Sequence, residues 1–280
     1  MISLRAISLV IVATVLFAHS APAVTWQIID YPGADGTSVS GTNLNLDVVG
    51  AYGLGSTTHA FLLKGGVFTT IDVPGADLTS ATSINDDGDI AGLYFVTAEG
   101  RMHGFLLQGG TYTTIDYPGA VYTLIYGLNN LGDIAGYYLD VAAVFHGFTL
   151  VSGVFTSIDA PNAMSTQVTG INDNGDLLGA AFLADNLAHG FARTHGHFQH
   201  IAVPGATETF PTGINNRKQV VGFATFQNGK QAGFLFSNGQ YIRLTRPDAT
   251  INAFDINDNG DISGSYVDAQ QKDHGFLRIH

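Results

Sequence analysis

The chain has 280 residues, no cysteine, 11 Lys plus Arg against 23 Asp plus Glu, and a formal charge of −12. An acidic surface repels phosphate backbones and anionic lipid, which sets aside nucleic acid and membranes as partners. With 35 glycines, only 12% charged residues and recurrent Val, Ile, Thr, Phe and Tyr, the composition is that of strands and turns, and without disulfides its stability must come from a buried core.

In chain order, residues 1–23 differ in kind from the remainder of the chain. Arg5 supplies a positive start, Ala6 to Phe17 is apolar, and Ala21-Pro22-Ala23 is a small-residue cleavage site. These are the three parts of a signal peptide, and the apolar run falls short of the roughly 20 residues that a spanning helix needs. The expected mature protein is 24–280, with a formal charge of −13 once Arg5 is lost. It is expected in the periplasm or the medium, as a monomer.

From residue 24 onward one phrase recurs six times. A His/Ala-Gly/Ala-Phe step starts at His59, His103, His146, His189, Ala232 and His274, spaced 44, 43, 43, 43 and 42 residues apart. An asparagine keeps the same phase at Asn43, Asn85, Asn129, Asn172, Asn215 and Asn257, and so does a proline at Pro32, Pro74, Pro118, Pro161, Pro204 and Pro247. A unit of about 43 residues repeated in register is the signature of a repeat architecture.

Each unit holds four strand-like runs, which in the second are Thr79 to Ile84, Asp89 to Phe95, His103 to Gln108 and Thr111 to Asp116. Asn85-Asp86-Asp87-Gly88 turns the first pair into a hairpin, and Gly109-Gly110 does so for the second pair. The chain begins with a run of the fourth type, Thr25 to Asp30, and ends with one of the third type, His274 to Ile279. Pairing the two completes a sixth sheet and closes a ring, which a β-solenoid would not require. The sequence thus predicts an all-β, six-bladed propeller of four-stranded blades, with the first run of each unit innermost. Its blades fall near 37–72, 79–116, 122–159, 165–202, 209–245, and 251–279 with 25–30.

The order Thr156-Ser157-Ile158-Asp159-Ala160-Pro161, then Gly170-Ile171-Asn172-Asp173-Asn174-Gly175-Asp176, then His189-Gly190-Phe191 resembles the bacterial HAF repeat, and His59-Ala60-Phe61 spells that motif literally. The resemblance spans essentially the whole mature chain. It implies an extracellular protein of unassigned function, with no catalytic residues to carry over.

Three constellations invite chemistry. Counting back from the hairpin turns sets His59 opposite Asp72, His103 opposite Asp116, His146 opposite Asp159 and, through ring closure, His274 opposite Asp30. These pairs are expected to brace blades away from the axis, not to converge on one metal. Carboxylates of the Asn-Asp-Asn-Gly-Asp turns (Asp86, Asp89, Asp173, Asp176, Asp258 and Asp261) suggest calcium, yet they lack the distant Glu of a calcium loop, and the fifth copy reads Asn-Asn-Arg-Lys-Gln. No cofactor is therefore expected. Arg217, Lys218, Lys230, Arg243 and Arg246 gather half of the mature chain's basic residues and are a candidate binding patch for an acidic partner.

No nucleophile elbow, zinc-protease pair or phosphate loop is present, and Glu99 and Glu208 are the sole glutamates. The innermost runs, such as Thr82-Ser83-Ile84-Asn85, predict a channel of uncharged polar groups suited to water or sugar hydroxyls. The reading is a non-enzymatic binding or scaffold propeller for a glycan or an extracellular protein. The alternative is a divalent-cation-dependent hydrolase or lyase using Asp at the channel mouth.

Overall fold

The computed structural model describes residues 24–246 and 249–279; the expected signal peptide and Pro247 lie outside the described residues. Twenty-four strands form six four-stranded antiparallel sheets, with no helix among the described residues. The first blade runs Gly36–Thr42, Val48–Leu54, Thr57–Lys64 and Val67–Thr70, in that order from the inside out. The next four blades repeat this order, with innermost strands Leu78–Ile84, Tyr122–Leu128, Ser165–Ile171 and Ala206–Ile214. The sixth combines Thr250–Ile256, Ile262–Val267 and Asp273–Ile279 with Thr25–Ile29 as its outermost strand. The register from Thr25↔Ile279 to Ile29↔Gly275 closes the ring, and the Trp26 ring packs 5.0 Å from Phe276 across the closure. The protein is a six-bladed β-propeller.

The repeat phrases have physical reasons. In Gly65-Gly66 and Gly109-Gly110 both turn residues have positive φ, which the primed hairpin turn requires. The Phe of each His-Gly-Phe step is core: Phe61, Phe105, Phe148, Phe234 and Phe276 are fully buried and Phe191 nearly so. These rings fill the space between blades. Phe105, for example, packs with Val49, Ala60 and Ile71 of the preceding blade. Burying each such ring contributes about 1.5–3 kcal/mol.

Every innermost strand carries a one-residue bulge at Ser40, Thr82, Tyr126, Thr169, Thr212 or Phe254. The bulge forces a glycine on the neighbouring strand. A Cβ at Gly50, Gly92, Gly136, Gly179, Gly222 or Gly264 would run into the carbonyl oxygen of Ser38, Ser80, Leu124, Gln167, Phe210 or Asn252. The bulge turns its own residue toward the axis, and that is what builds the channel.

The asparagines form the tightest element. Each Oδ1 closes its own turn, as Asn129 does by accepting from the N–H of Leu131 at 3.0 Å and of Asp133 at 2.8 Å. Each Nδ2 donates to the main-chain oxygen of the asparagine in the next blade: Asn43 to Asn85 at 3.1 Å, Asn85 to Asn129 at 3.4 Å, Asn129 to Asn172 and Asn172 to Asn215 at 3.1 Å. Asn215 continues to Asn257 at 2.9 Å, and Asn257 returns to Asn43 at 3.0 Å. All six are buried. The circuit is closed.

Asn129→Ala removes one link and leaves the Asn172 carbonyl and two turn N–H groups without their partner. Each buried polar group so stranded costs about 1–3 kcal/mol. The urea-unfolding midpoint is expected to fall clearly, whereas Asn228→Ala, in an exposed loop, should leave it in place. An unchanged midpoint for Asn129→Ala would contradict the bracing role.

Candidate functional site

The innermost strands enclose an axial channel with two unequal compartments. The one at the asparagine ring is narrow, about 80 Å3. The other, at the face where the second-to-third-strand loops lie, opens to about 470 Å3, the size of a small-molecule site. The bulge residues line both compartments and form the junction between them.

The wide compartment is where the repeat breaks. On the first two blades its wall is Ser38, Ser40, Ser80 and Thr82, with Leu93 beside them. Around the rest of the axis aromatic rings enter, with Tyr126 and Tyr137 on the third blade, Phe210 and Phe223 on the fifth and Phe254 on the sixth, interrupted by Gln167 and Thr169 on the fourth. Tyr126 and Tyr137 stack at 5.2 Å with their hydroxyls 3.3 Å apart; Phe210 and Phe223 stack at 5.0 Å. Burial, reinforced by the neighbouring Tyr126 hydroxyl, holds the Tyr137 phenol well above its ordinary range, so it is a neutral donor at any physiological pH. The channel is therefore not uniformly polar, as the innermost runs suggest. Aromatic rings from three blades share its lining with hydroxyls and an amide.

The channel also carries a charge, at a position where one repeat departs from the others. Asp255 stands where the other repeats have Gly41, Ser83, Gly127, Gly170 and Gly213, and it lines the narrow compartment. Its Oδ2 accepts the N–H of Thr42 from the first blade at 3.1 Å. The side chain is half-buried between the blades, with the channel space on its open side. Desolvation pushes its carboxyl up to about 6 against the backbone N–H bonds of Thr42 and Ile256. Aligning the six copies on their asparagine exposes both departures, two and three residues before it.

The turn carboxylates are spoken for. Asp86, Asp173 and Asp258 each accept a main-chain N–H from the preceding blade, from Leu44, Asn130 and Asn216 at 2.7 to 2.8 Å. Asp89 accepts from Gln108, Asp176 from Asn172 and Lys218, and Asp261 from Asn257. Among the described residues no group of three or more His, Cys, Asp or Glu is arranged to hold a metal ion.

The histidines lie on the outer part of the blades. Nδ1 contacts the carboxylate at the end of the outermost strand in His59–Asp72 (2.6 Å), His103–Asp116 (2.8 Å), His146–Asp159 (2.9 Å) and His274–Asp30 (2.9 Å). The same rings stack on Tyr52, Tyr94, Tyr138 and Tyr266 at 4.9 to 5.3 Å. A second partner stands on the other nitrogen: Glu99, Asp140 and Asp268 in the loop before His103, His146 and His274, Asp185 likewise before His189, and Thr57, on the same strand, beside His59. Four of the imidazoles thus reach a variable loop.

The five basic residues do not meet in one patch. Arg217 and Lys218 sit on a turn at the asparagine-ring face, and Lys218 reaches Asp176 at 3.4 Å. Lys230 is in a loop at the opposite face, beyond a seven-residue strand (Val220–Phe226). Arg243 lies 5.9 Å over Phe226, and Arg246 lies 4.0 Å over Tyr266 of the sixth blade. A hairpin brings neighbours in sequence to opposite ends of a sheet, and that separates them.

No family model and no curated protein matches the chain. Solved structures do, as folds. The TolB candidate of Agrobacterium tumefaciens shares 12% identity with a TM-score of 0.62, over 88% of this chain and 91% of that one. A mutant lectin of Aleuria aurantia in complex with Fucα1-6GlcNAc shares 11% with a TM-score of 0.55, over 87% and 93%. The β-propeller domain of the Trilobed protease of Pyrococcus furiosus, with an open velcro topology, shares 8% with a TM-score of 0.54, over 88% and 94%. At these identities the likeness is one of fold.

The His274 clamp makes stability depend on pH. Burial works against the His274 imidazolium, but the hydrogen bonds to Asp30 and Asp268 outweigh it and raise its pKa. A raised group contributes fully below its unfolded value, about 6.5, and loses that contribution as pH rises through the folded value. The difference in Tm between the protein and His274→Gln is expected to be widest below about pH 6 and to narrow through neutral and alkaline pH. A gap that widens with pH would show the clamp does not hold the charged ring.

Proposed function

We propose that this protein is an exported binding propeller that presents the wide mouth of its axial channel to a glycan. The carrying observation is the cavity of about 470 Å3, whose lining intersperses aromatic rings with hydroxyls around the axis. A sugar ring has the complementary surfaces, a C–H face that packs on aromatic rings and a rim of hydroxyls that hydrogen-bonds to Ser and Thr. Lectins among the propellers of similar fold give a precedent for sugar binding on this scaffold, and the lectin of Aleuria aurantia was solved with Fucα1-6GlcNAc. The signal-peptide features of residues 1–23 and the resemblance to HAF repeats support export, which would put the mouth where glycans are met.

The loops at this face carry the length variation of the repeat, and variable loops around a rigid cavity are the usual seat of specificity. The histidine clamps would hold those loops in place. The fold supplies rigidity, and the broken repeat supplies the ligand site.

Substituting Tyr126→Thr and Phe254→Thr restores at both positions the residue found in the second, fourth and fifth blades, so the fold should tolerate the change. A glycan array followed by calorimetry on 24–280 should find a sugar whose affinity falls about tenfold or more in the double variant, the loss of roughly 1.4 kcal/mol of stacking. Equal affinity in both proteins would place the sugar elsewhere. Silence on the array with capture of a defined extracellular protein would replace the glycan by a protein partner.

A further inference from the structure

Resting on that reading of the wide mouth, we propose that the ligand carries a free ammonium group, as a de-N-acetylated amino sugar does, and that the amine reaches down the channel to Asp255. Four observations converge on it.

The first is the sign of the channel. Among the residues that line its two compartments there is no Lys, Arg or His; the charged ones are Asp86, Asp173, Asp255 and Asp258. Three of these are held in the inter-blade bonds of the far rim, which leaves Asp255 as the carboxylate in the channel wall above it. An acidic protein with such a channel attracts cations and repels sulfated or uronic sugars.

The second is that the fold does not need this charge. Ser83 occupies the same repeat position and accepts the N–H of Leu128 from the next blade at 3.2 Å, the bond that Asp255 makes to Thr42. Four other repeats manage with glycine. A neutral side chain would thus brace the blades equally well. The carboxylate remains to be explained by something else.

The third is the cost of the charge and what relieves it. Burial in the channel raises Asp255 to about 6, so near neutral pH it is ionised in an environment that penalises the anion. A bound ammonium offsets that penalty, by ion pairing and by donating hydrogen bonds to the carboxylate.

The fourth is the route. Tyr126 and Phe254 line both compartments, so a group passing from the mouth to Asp255 passes aromatic rings, which favour a cation over a neutral polar group. The narrow compartment, about 80 Å3, admits an ammonium group but not a second sugar ring.

The test compares two probes that differ only in N-acetylation: the β-1,4-linked glucosamine trimer and its fully N-acetylated form, titrated into 24–280 by calorimetry at pH 7. The free-amine trimer is expected to bind at least about tenfold more tightly. That preference should vanish in Asp255→Ser, which keeps the inter-blade acceptor as Ser83 does. Asp255→Asn, of nearly the same volume, serves as the second variant, and a melting curve checks that each is folded. Equal binding of the two trimers, or a preference that survives both variants, overturns the amine assignment while leaving glycan binding at the mouth intact. Neutral glycans binding where neither trimer does has the same meaning. If no sugar of any kind binds, the assignment fails together with the reading on which it rests.

Discussion

A single side chain, repeated six times, sets the terms for the whole molecule. Asparagine is short, and it has an acceptor at one end of its amide and a donor at the other. Its Oδ1 can close the turn that it begins, while its Nδ2 reaches the main chain of the next blade. Aspartate could do the first and not the second. Because the circuit returns from Asn257 to Asn43, it joins the last blade to the first without passing along the backbone. Strand pairing between the two ends of the chain does so a second time, at the rim. Each bond contributes modestly on its own, about 0.5–1.5 kcal/mol net, yet every one is buried, so a missing partner costs more than a present one contributes.

The asparagine circuit fixes one end of the channel and leaves the other to vary. Below the bulges, all six blades must place the same amide against the same carbonyl, and the fifth turn can accept Arg217, Lys218 and Gln219 only because Asn215 is kept. At and above the bulges no closed circuit runs through the side chains that face the axis, although Thr82, Thr169 and Thr212 each donate to a main-chain oxygen of the next blade. Serine, threonine, tyrosine and phenylalanine all occur at one repeat position there. The wide compartment is thus the place where residues can change without breaking the ring. The loops that rim it vary too, and four of them are held back by a histidine, in three blades between a loop side chain and an outer-strand carboxylate.

Much of this architecture is local enough to be legible in the chain. Turn residues fix hairpin register, so counting outward from Gly109-Gly110 assigns every partner along two strands, and complementary ends betray a ring. What resists reading is the consequence of the bulge. One extra residue reverses the alternation of faces within a strand, so the axis-facing set cannot be found by stepping in twos from the asparagine. Tyr126 and Phe254 are in plain view in the sequence, but their direction is not. Tyr137 and Phe223 are harder still, since they belong to second strands, opposite Leu124 and Phe210, and yet line the cavity. The second-strand glycines recur six times for the same hidden reason. The basic residues fail in the opposite sense, since nearness in sequence promises a cluster that antiparallel strands then pull apart.

Departures from a repeat are informative in proportion to how well the repeat's own residue serves the fold. Leu44, where other turns have Asp or Asn, merely forgoes one exposed hydrogen bond. Ser83 for glycine adds a bond at no electrostatic cost. Asp255 adds the same bond together with a charge that its surroundings resist, and it does so beneath aromatic rings, Tyr126 and Phe254, that also depart from the repeat. Each change alone could be drift tolerated by a stable ring. A penalised carboxylate and the rings that would guide a cation to it, both within one channel, are more economically explained as two parts of one site.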